Sequence, residues 1–246
     1  GKWSPPRDRN RPRPPQDYEH YPDRPPREEI VREIAGPSGT DAIVTRNSYG
    51  ALILCTADLM FVDVDLPEVP PAPKTGWLSR FFKGKDLPQN SPKSAEQECL
   101  TRIRRGLERF RVSNARIYRT AGGFRCAVLD RPMQPDSEES RQLVEAMEAD
   151  PLYVRMCRRQ DCFRARLTPK PWRCDLELPP HRFPFPSPAA EQSYRAWEHA
   201  YDNGIAGWSV CRLVDSILEG PVHPAFEPLI GLHDKLTRCD TNAPLA

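Results

Sequence analysis

Apolar residues recur with period two over 59–66, where Met60, Val62, Val64 and Leu66 share one face and Phe61, Asp63 and Asp65 take the other. That alternation predicts a β-strand. Two further β-rich runs, 42–46 and 50–55, precede it, so the three are expected as consecutive antiparallel strands. Upstream, 28–35 predicts a short helix, followed by the turn signal Gly36-Pro37-Ser38-Gly39. The period changes at 94–112, where Leu100, Ile103, Leu107 and Phe110 form one stripe and Arg102, Arg104, Arg105 and Arg109 lie largely off it. An amphipathic helix packed on the sheet is expected there. Residues 115–119 and 124–129 predict a hairpin across Thr120-Ala121-Gly122-Gly123, and 137–149 a helix started by Pro135-Asp136. A strand at 163–167 is stopped by Pro169 and Pro171, after which helical pieces are expected at 189–201, 210–218 and 225–238.

These elements define an α+β chain: a mainly antiparallel sheet flanked by helices, with a helical C-terminal part. Residues 1–27 hold eight prolines and six arginines with almost no aliphatic side chain, so they are expected as a disordered arm ahead of the fold. The body then divides into an α+β part over 28–185 and a helical extension packed on it over 186–246. A proline- and lysine-rich connection over 67–93 carries an amphipathic scrap, 77–82, expected as a mobile flap. No apolar run approaches the roughly eighteen residues of a membrane span, and no basic-then-apolar leader is visible, so a soluble cytoplasmic protein is expected.

Composition changes the picture at two points. The eight cysteines, read in a reducing compartment, are expected as small core residues. Cys157, Cys162 and Cys174 with His181 are the tightest possible zinc set, but their spacing matches no common site. The net charge is only +2, yet from Asp150 to Cys174 there are seven Lys or Arg against two Asp, so an anion site is to be sought in that segment.

Three groups carry candidate chemistry. Asp63 and Asp65 lie two apart on one strand face, close enough for both carboxylates to converge on Mg²⁺ or Mn²⁺; alternatively they mark the solvated end of a strand. In Thr120 to Arg125, Gly122 and Gly123 let backbone N–H groups approach a phosphate and Arg125 adds a guanidinium, although a plain hairpin wants the same glycines. Arg164 and Arg166 share a strand face, with Lys170 and Arg173 close behind; they suit phosphates, or salt bridges to Asp63 and Asp65. Leu232-His233-Asp234 lacks the further histidines of a metal phosphohydrolase, so His233 is expected as a helix-surface or capping residue.

The order of these features, over about residues 41–173, resembles the archaeo-eukaryotic primase superfamily, within it the small primase-polymerase branch. The resemblance implies a metal-dependent nucleotidyltransferase acting on nucleoside triphosphates and nucleic acid. It assigns metal to Asp63 and Asp65, a third carboxylate to Asp150 with Asp130 in reserve, and phosphate contacts to Thr120, Gly122, Gly123, Arg125, Arg164, Arg166 and Lys170. Arg125 stands where that family's second motif has histidine, a departure that implies a non-catalytic nucleotide- or nucleic-acid-binding protein as the alternative.

Overall fold

The computed structural model describes residues 27–36, 39–66 and 92–246. The expected arm, apart from Arg27, and the expected flap therefore lie outside the described residues. Among the described residues eight strands, β1 (Glu29–Gly36), β2 (Gly39–Arg46), β3 (Leu52–Thr56), β4 (Phe61–Asp65), β5 (Asn114–Thr120), β6 (Gly123–Val128), β7 (Phe163–Arg166) and β8 (Cys211–Leu218), build two four-stranded sheets. One has the order β1-β2-β3-β7 and the other β4-β6-β5-β8, with every pairing antiparallel. Helices α1 (Pro92–Arg109), α2 (Glu138–Ala146), α3 (Pro151–Gln160), α4 (Pro188–Gly204) and α5 (Glu227–Thr237) complete an α+β fold whose C-terminal part carries two helices.

The alternation along β4 explains how the layers stack. Met60, Val62 and Val64 join Ile103 and Leu107 of α1 and Leu143 of α2 in one core. Phe61 points the other way, into a second core formed with Ala42, Val44 and Leu54 of the first sheet and with Leu229 and Ile230 of α5. The second sheet is thus covered on both faces, by helices on one and by the first sheet and α5 on the other. Each face buries apolar area at roughly 25 cal/mol per Å², which is why β4 can be apolar on both sides before its aspartates.

Four expectations are corrected. The run 28–35 is strand β1, because Ile30, Val31 and Ile34 are β-branched and the segment completes the ladder to β2, from Glu29 opposite Arg46 to Gly36 opposite Gly39. The run 210–218 is strand β8, not helix, and pairs with the outer edge of β5, from Asn114 opposite Leu218 to Thr120 opposite Cys211. Strand β4 does not follow β3 in the same sheet: the chain crosses to the second sheet, and β7 takes the place beside β3. The single helix expected at 137–149 is the shorter α2, capped by the Ser137 hydroxyl accepting from Ser140 N at 3.1 Å. It ends where Glu148 turns to φ 51°, and α3 follows from Pro151.

β4 is an edge strand, and α3 closes that edge. The Tyr153 hydroxyl donates to the Phe61 carbonyl at 2.6 Å and Asp150 N donates to the Asp63 carbonyl at 3.1 Å. Carbonyls that would otherwise template another strand are satisfied, and Asp150 is fixed beside the aspartate pair.

Candidate functional site

The site starts from a row of residues directly opposite one another across the second sheet. Asp63 of β4 faces Arg125 of β6, which faces Tyr118 of β5. Residues in one row share a face, so all three point into the layer between the sheets. Arg125 is 1% exposed. Its guanidinium takes both carboxylate oxygens of Asp63, Nε to Oδ1 at 2.8 Å and Nη2 to Oδ2 at 3.1 Å, and its Nη1 donates to the Arg166 carbonyl at 2.9 Å. Burial works against the charge of Arg125, but the charge and hydrogen bonds of Asp63 more than offset it and hold its pKa above the ordinary value.

Behind this pair lies His233, which sequence reasoning placed at a helix surface and which the fold buries completely. Its ring packs between Phe61 and Tyr118, with centroids at 5.1 and 4.9 Å. Nδ1 is 2.8 Å from Asp234 Oδ1, and Nε2 is 3.5 Å from Arg125 Nη1. A guanidinium offers only donors, so Nε2 is the acceptor and the proton sits on Nδ1, toward Asp234. Burial, with Arg125 adding to it, lowers the pKa of His233 and keeps the ring neutral. Asp234 also accepts from the Tyr118 hydroxyl at 2.7 Å and pairs with Arg116. A continuous polar chain therefore runs from Asp63 through Arg125 and His233 to Asp234.

At the outer end of β4, Asp65 is exposed. Its carboxyl is held above the usual range by desolvation and then by the negative charges of Asp150 and Asp63, against Lys170 and Arg173. Asp150, Asp63, Lys170 and Arg173 are thus the charged groups that act on the Asp65 carboxyl. The hairpin loop arrives at the same place: a Cβ on Gly122 would come 3.7 Å from Asp65 Oδ1 and 3.9 Å from Arg173 Nη2. Gly123 has a packing reason to be glycine, since its Cβ would sit 2.1 Å from the Val64 carbonyl oxygen. Its N–H donates to Thr120 Oγ1 at 3.1 Å, and the Gly122 carbonyl accepts from Leu66 N at 3.0 Å, so these groups serve the turn itself.

The basic segment divides. Arg164 is buried on the first sheet, where Nη2 meets both oxygens of Glu28 at 2.8 Å and Nη1 donates to Gln160 at 2.8 Å. Arg166 lies within the electrostatic reach of Arg125 and Asp63. Among the described residues no direct ion pair ties Arg166 or Arg173 to a carboxylate; Arg166 Nη1 reaches only the Thr168 and Ala246 carbonyls, each at 3.4 Å. Burial, reinforced by Arg125, lowers the pKa of Arg166. Burial and the charge of Arg166 do the same for Arg173, with Asp65 opposing. These two guanidinium groups repel each other in partly desolvated surroundings, an arrangement that an anion would relieve. Aromatic rings flank them. Tyr49 lies near both, its ring is edge-on to Trp172 at 5.2 Å, and Lys170 Nζ sits 5.5 Å from the Trp172 centroid.

The remaining expectations find simple places. Asp130 accepts from Ser113 N at 2.8 Å and from Arg131 at 2.9 Å, bracing a turn rather than joining the carboxylates. Among the described residues no group of three or more His, Cys, Asp or Glu side chains is arranged to hold a metal ion, and this includes the zinc set with Cys157, Cys162, Cys174 and His181. Both oxygens of Asp63 are already taken by Arg125, so the residues present do not fit a two-metal centre. Sequence reasoning missed Tyr49, Trp172, Glu28 and the buried role of His233. Only Trp172, next to the basic residues, carried any local signal.

No protein-family model matches the chain, no curated protein matches it, and no solved structure matches it.

Proposed function

We propose that this chain is a non-catalytic binding protein for phosphate-bearing ligands, nucleotides or nucleic acid, on a primase-like arrangement of elements. The observation that carries the reading is the pair Arg166 and Arg173: two partly buried guanidinium groups without a direct carboxylate partner among the described residues, Arg166 disfavoured by burial and the charge of Arg125, and Arg173 by burial and the charge of Arg166. A phosphate would reverse that balance through charge-assisted hydrogen bonds. Lys170 and the open Gly122 turn support the same anion, and Tyr49 with Trp172 supports a ligand that carries a ring as well as a phosphate.

Three cations give an expected slope of roughly −2 in log K against log salt for a single strand, and Arg166→Ala should flatten it by about 0.7. The test is equilibrium binding of a labelled oligonucleotide and of a nucleoside triphosphate, with EDTA and with Mn²⁺. Binding that resists EDTA and is lost in Arg166→Ala and Arg173→Ala supports the proposal. Affinity indifferent to both variants overturns it.

Metal-dependent nucleotidyl transfer is the second reading: the charges of Asp150 and Asp63 acting on the Asp65 carboxyl favour it, and the pairing of Asp63 with Arg125 opposes it. Labelled nucleotide incorporated with Mg²⁺ or Mn²⁺, and abolished by Asp65→Asn, would establish it in place of the first.

A further inference from the structure

Strand β7 sets Arg164 opposite Cys55 of β3 and Phe163 opposite Thr56. Cys162, the residue just before β7, is therefore two positions from Arg164 on the same face and diagonal to Cys55. The chain bends immediately ahead of it, at Asp161 with φ 49°, so Cys162 is not bound to strand geometry on both sides. Each thiol is the neighbour that acts most strongly on the other. Around them, the Thr45 hydroxyl lies 3.8 Å from Cys55 Sγ, and the Arg164 guanidinium, held by Glu28, stands beside both sulfurs. Cys55 is 6% exposed, while Cys162 is partly open to solvent and gives a small oxidant its way in.

We propose that Cys55 and Cys162 form a reversible dithiol that a hydroperoxide converts to an intramolecular disulfide. The neighbouring Cys162 thiol, the guanidinium of Arg164 and the Thr45 hydroxyl all favour the Cys55 thiolate over the effect of burial, so its pKa is lowered while that of Cys162 is raised. Burial pushes up the thiols of Cys99, Cys126, Cys157, Cys174, Cys211 and Cys239, which separates this pair from the rest. In the first step the Cys55 sulfur attacks a peroxide oxygen: an S–O bond forms, the O–O bond breaks and the departing oxygen takes up a proton, leaving a sulfenic acid. In the second, the Cys162 sulfur attacks Cys55 sulfur; the S–O bond breaks, and the hydroxide leaves as water with the Cys162 proton. Two thiols are oxidised by two electrons, and one peroxide is reduced.

The full chain is treated with hydrogen peroxide under native conditions, the remaining thiols are alkylated, and the digest is read by mass spectrometry. The expected product is one linked peptide pair joining Cys55 to Cys162, released by dithiothreitol. It should form at least about ten-fold faster than any other cysteine is oxidised, as the excess of thiolate over an ordinary thiol requires. In Cys162→Ser the same treatment should stop at a Cys55 sulfenic acid captured by dimedone. The same reaction in urea provides the control for folding, where all eight cysteines should react alike and the pairing preference should vanish. Linkage of Cys162 to Cys157, which lies on the adjoining helix end, would overturn the proposal. So would oxidation of Cys55 no faster than of Cys126.

Discussion

Replacing Asp63 by Asn leaves the almost fully buried guanidinium of Arg125 without its counter-charge. Charge centres about 4 Å apart at an effective dielectric near 20 attract by about 4 kcal/mol, and breaking a buried pair typically costs about 3–5 kcal/mol. Two features reduce this here. The Asp63 side chain keeps 33% of its exposure, so water already competes for it, and asparagine still offers one oxygen to one of the two N–H groups. The expected loss is therefore about 2–3 kcal/mol, a fall in Tm of roughly 5–10 °C for a chain of this size. Urea unfolding of the native chain, Asp63→Asn, Arg125→Met and the double variant, with m values compared, measures it. Because Asp63→Asn is destabilised by an orphaned charge, removing that charge as well should add nothing: the double variant should be no less stable than Asp63→Asn alone. A loss below about 1 kcal/mol, or a double variant equal to the sum of the singles, would refute the idea that this pair is what holds Arg125 in the layer.

Asp65 should behave in the opposite sense. Its folded pKa lies above the unfolded one, so it costs no stability below the ordinary carboxylate range near ~3.9 and acts against folding as pH rises through the raised value. Asp65→Asn should then match the native chain at about pH 3 and be the more stable at neutral pH, by thermal melts across that window. Gly123→Ala forces a methyl into the Val64 carbonyl and should cost more than about 3 kcal/mol or prevent folding, whereas Gly122→Ala meets only ordinary contacts and should be nearly neutral; circular dichroism melts compare them. Arg164→Met breaks a pair buried on both sides, with Glu28, and should cost about 3–5 kcal/mol in urea unfolding while leaving anion affinity unchanged; a loss of affinity without loss of stability would reverse the roles given to Arg164 and Arg166.

Much of this was local and therefore legible in the chain. The alternation of Met60, Val62 and Val64 against Phe61, Asp63 and Asp65 is a property of one strand, as is the stripe on α1, and both hold in the structure. The α+β class follows from such periods. Asp63 and Asp65 were singled out by residue type and spacing, and Asp150 by the resemblance alone. The helical reading failed where pairing decided the outcome. Segments 28–35 and 210–218 are short enough that an available neighbour, β2 or β5, outweighs a weak helical pattern. The partners of the charged groups lay beyond sequence reading altogether. Arg125 rather than Arg164 or Arg166 neutralises Asp63 because the β4–β6 register puts them opposite, and a one-residue slip would have sent Arg125 to the other face. His233 reaches the same layer from α5, and Cys162 meets Cys55 across a hundred or so residues of chain, because contacts at that separation are fixed by how sheets and helices stack and not by any local pattern.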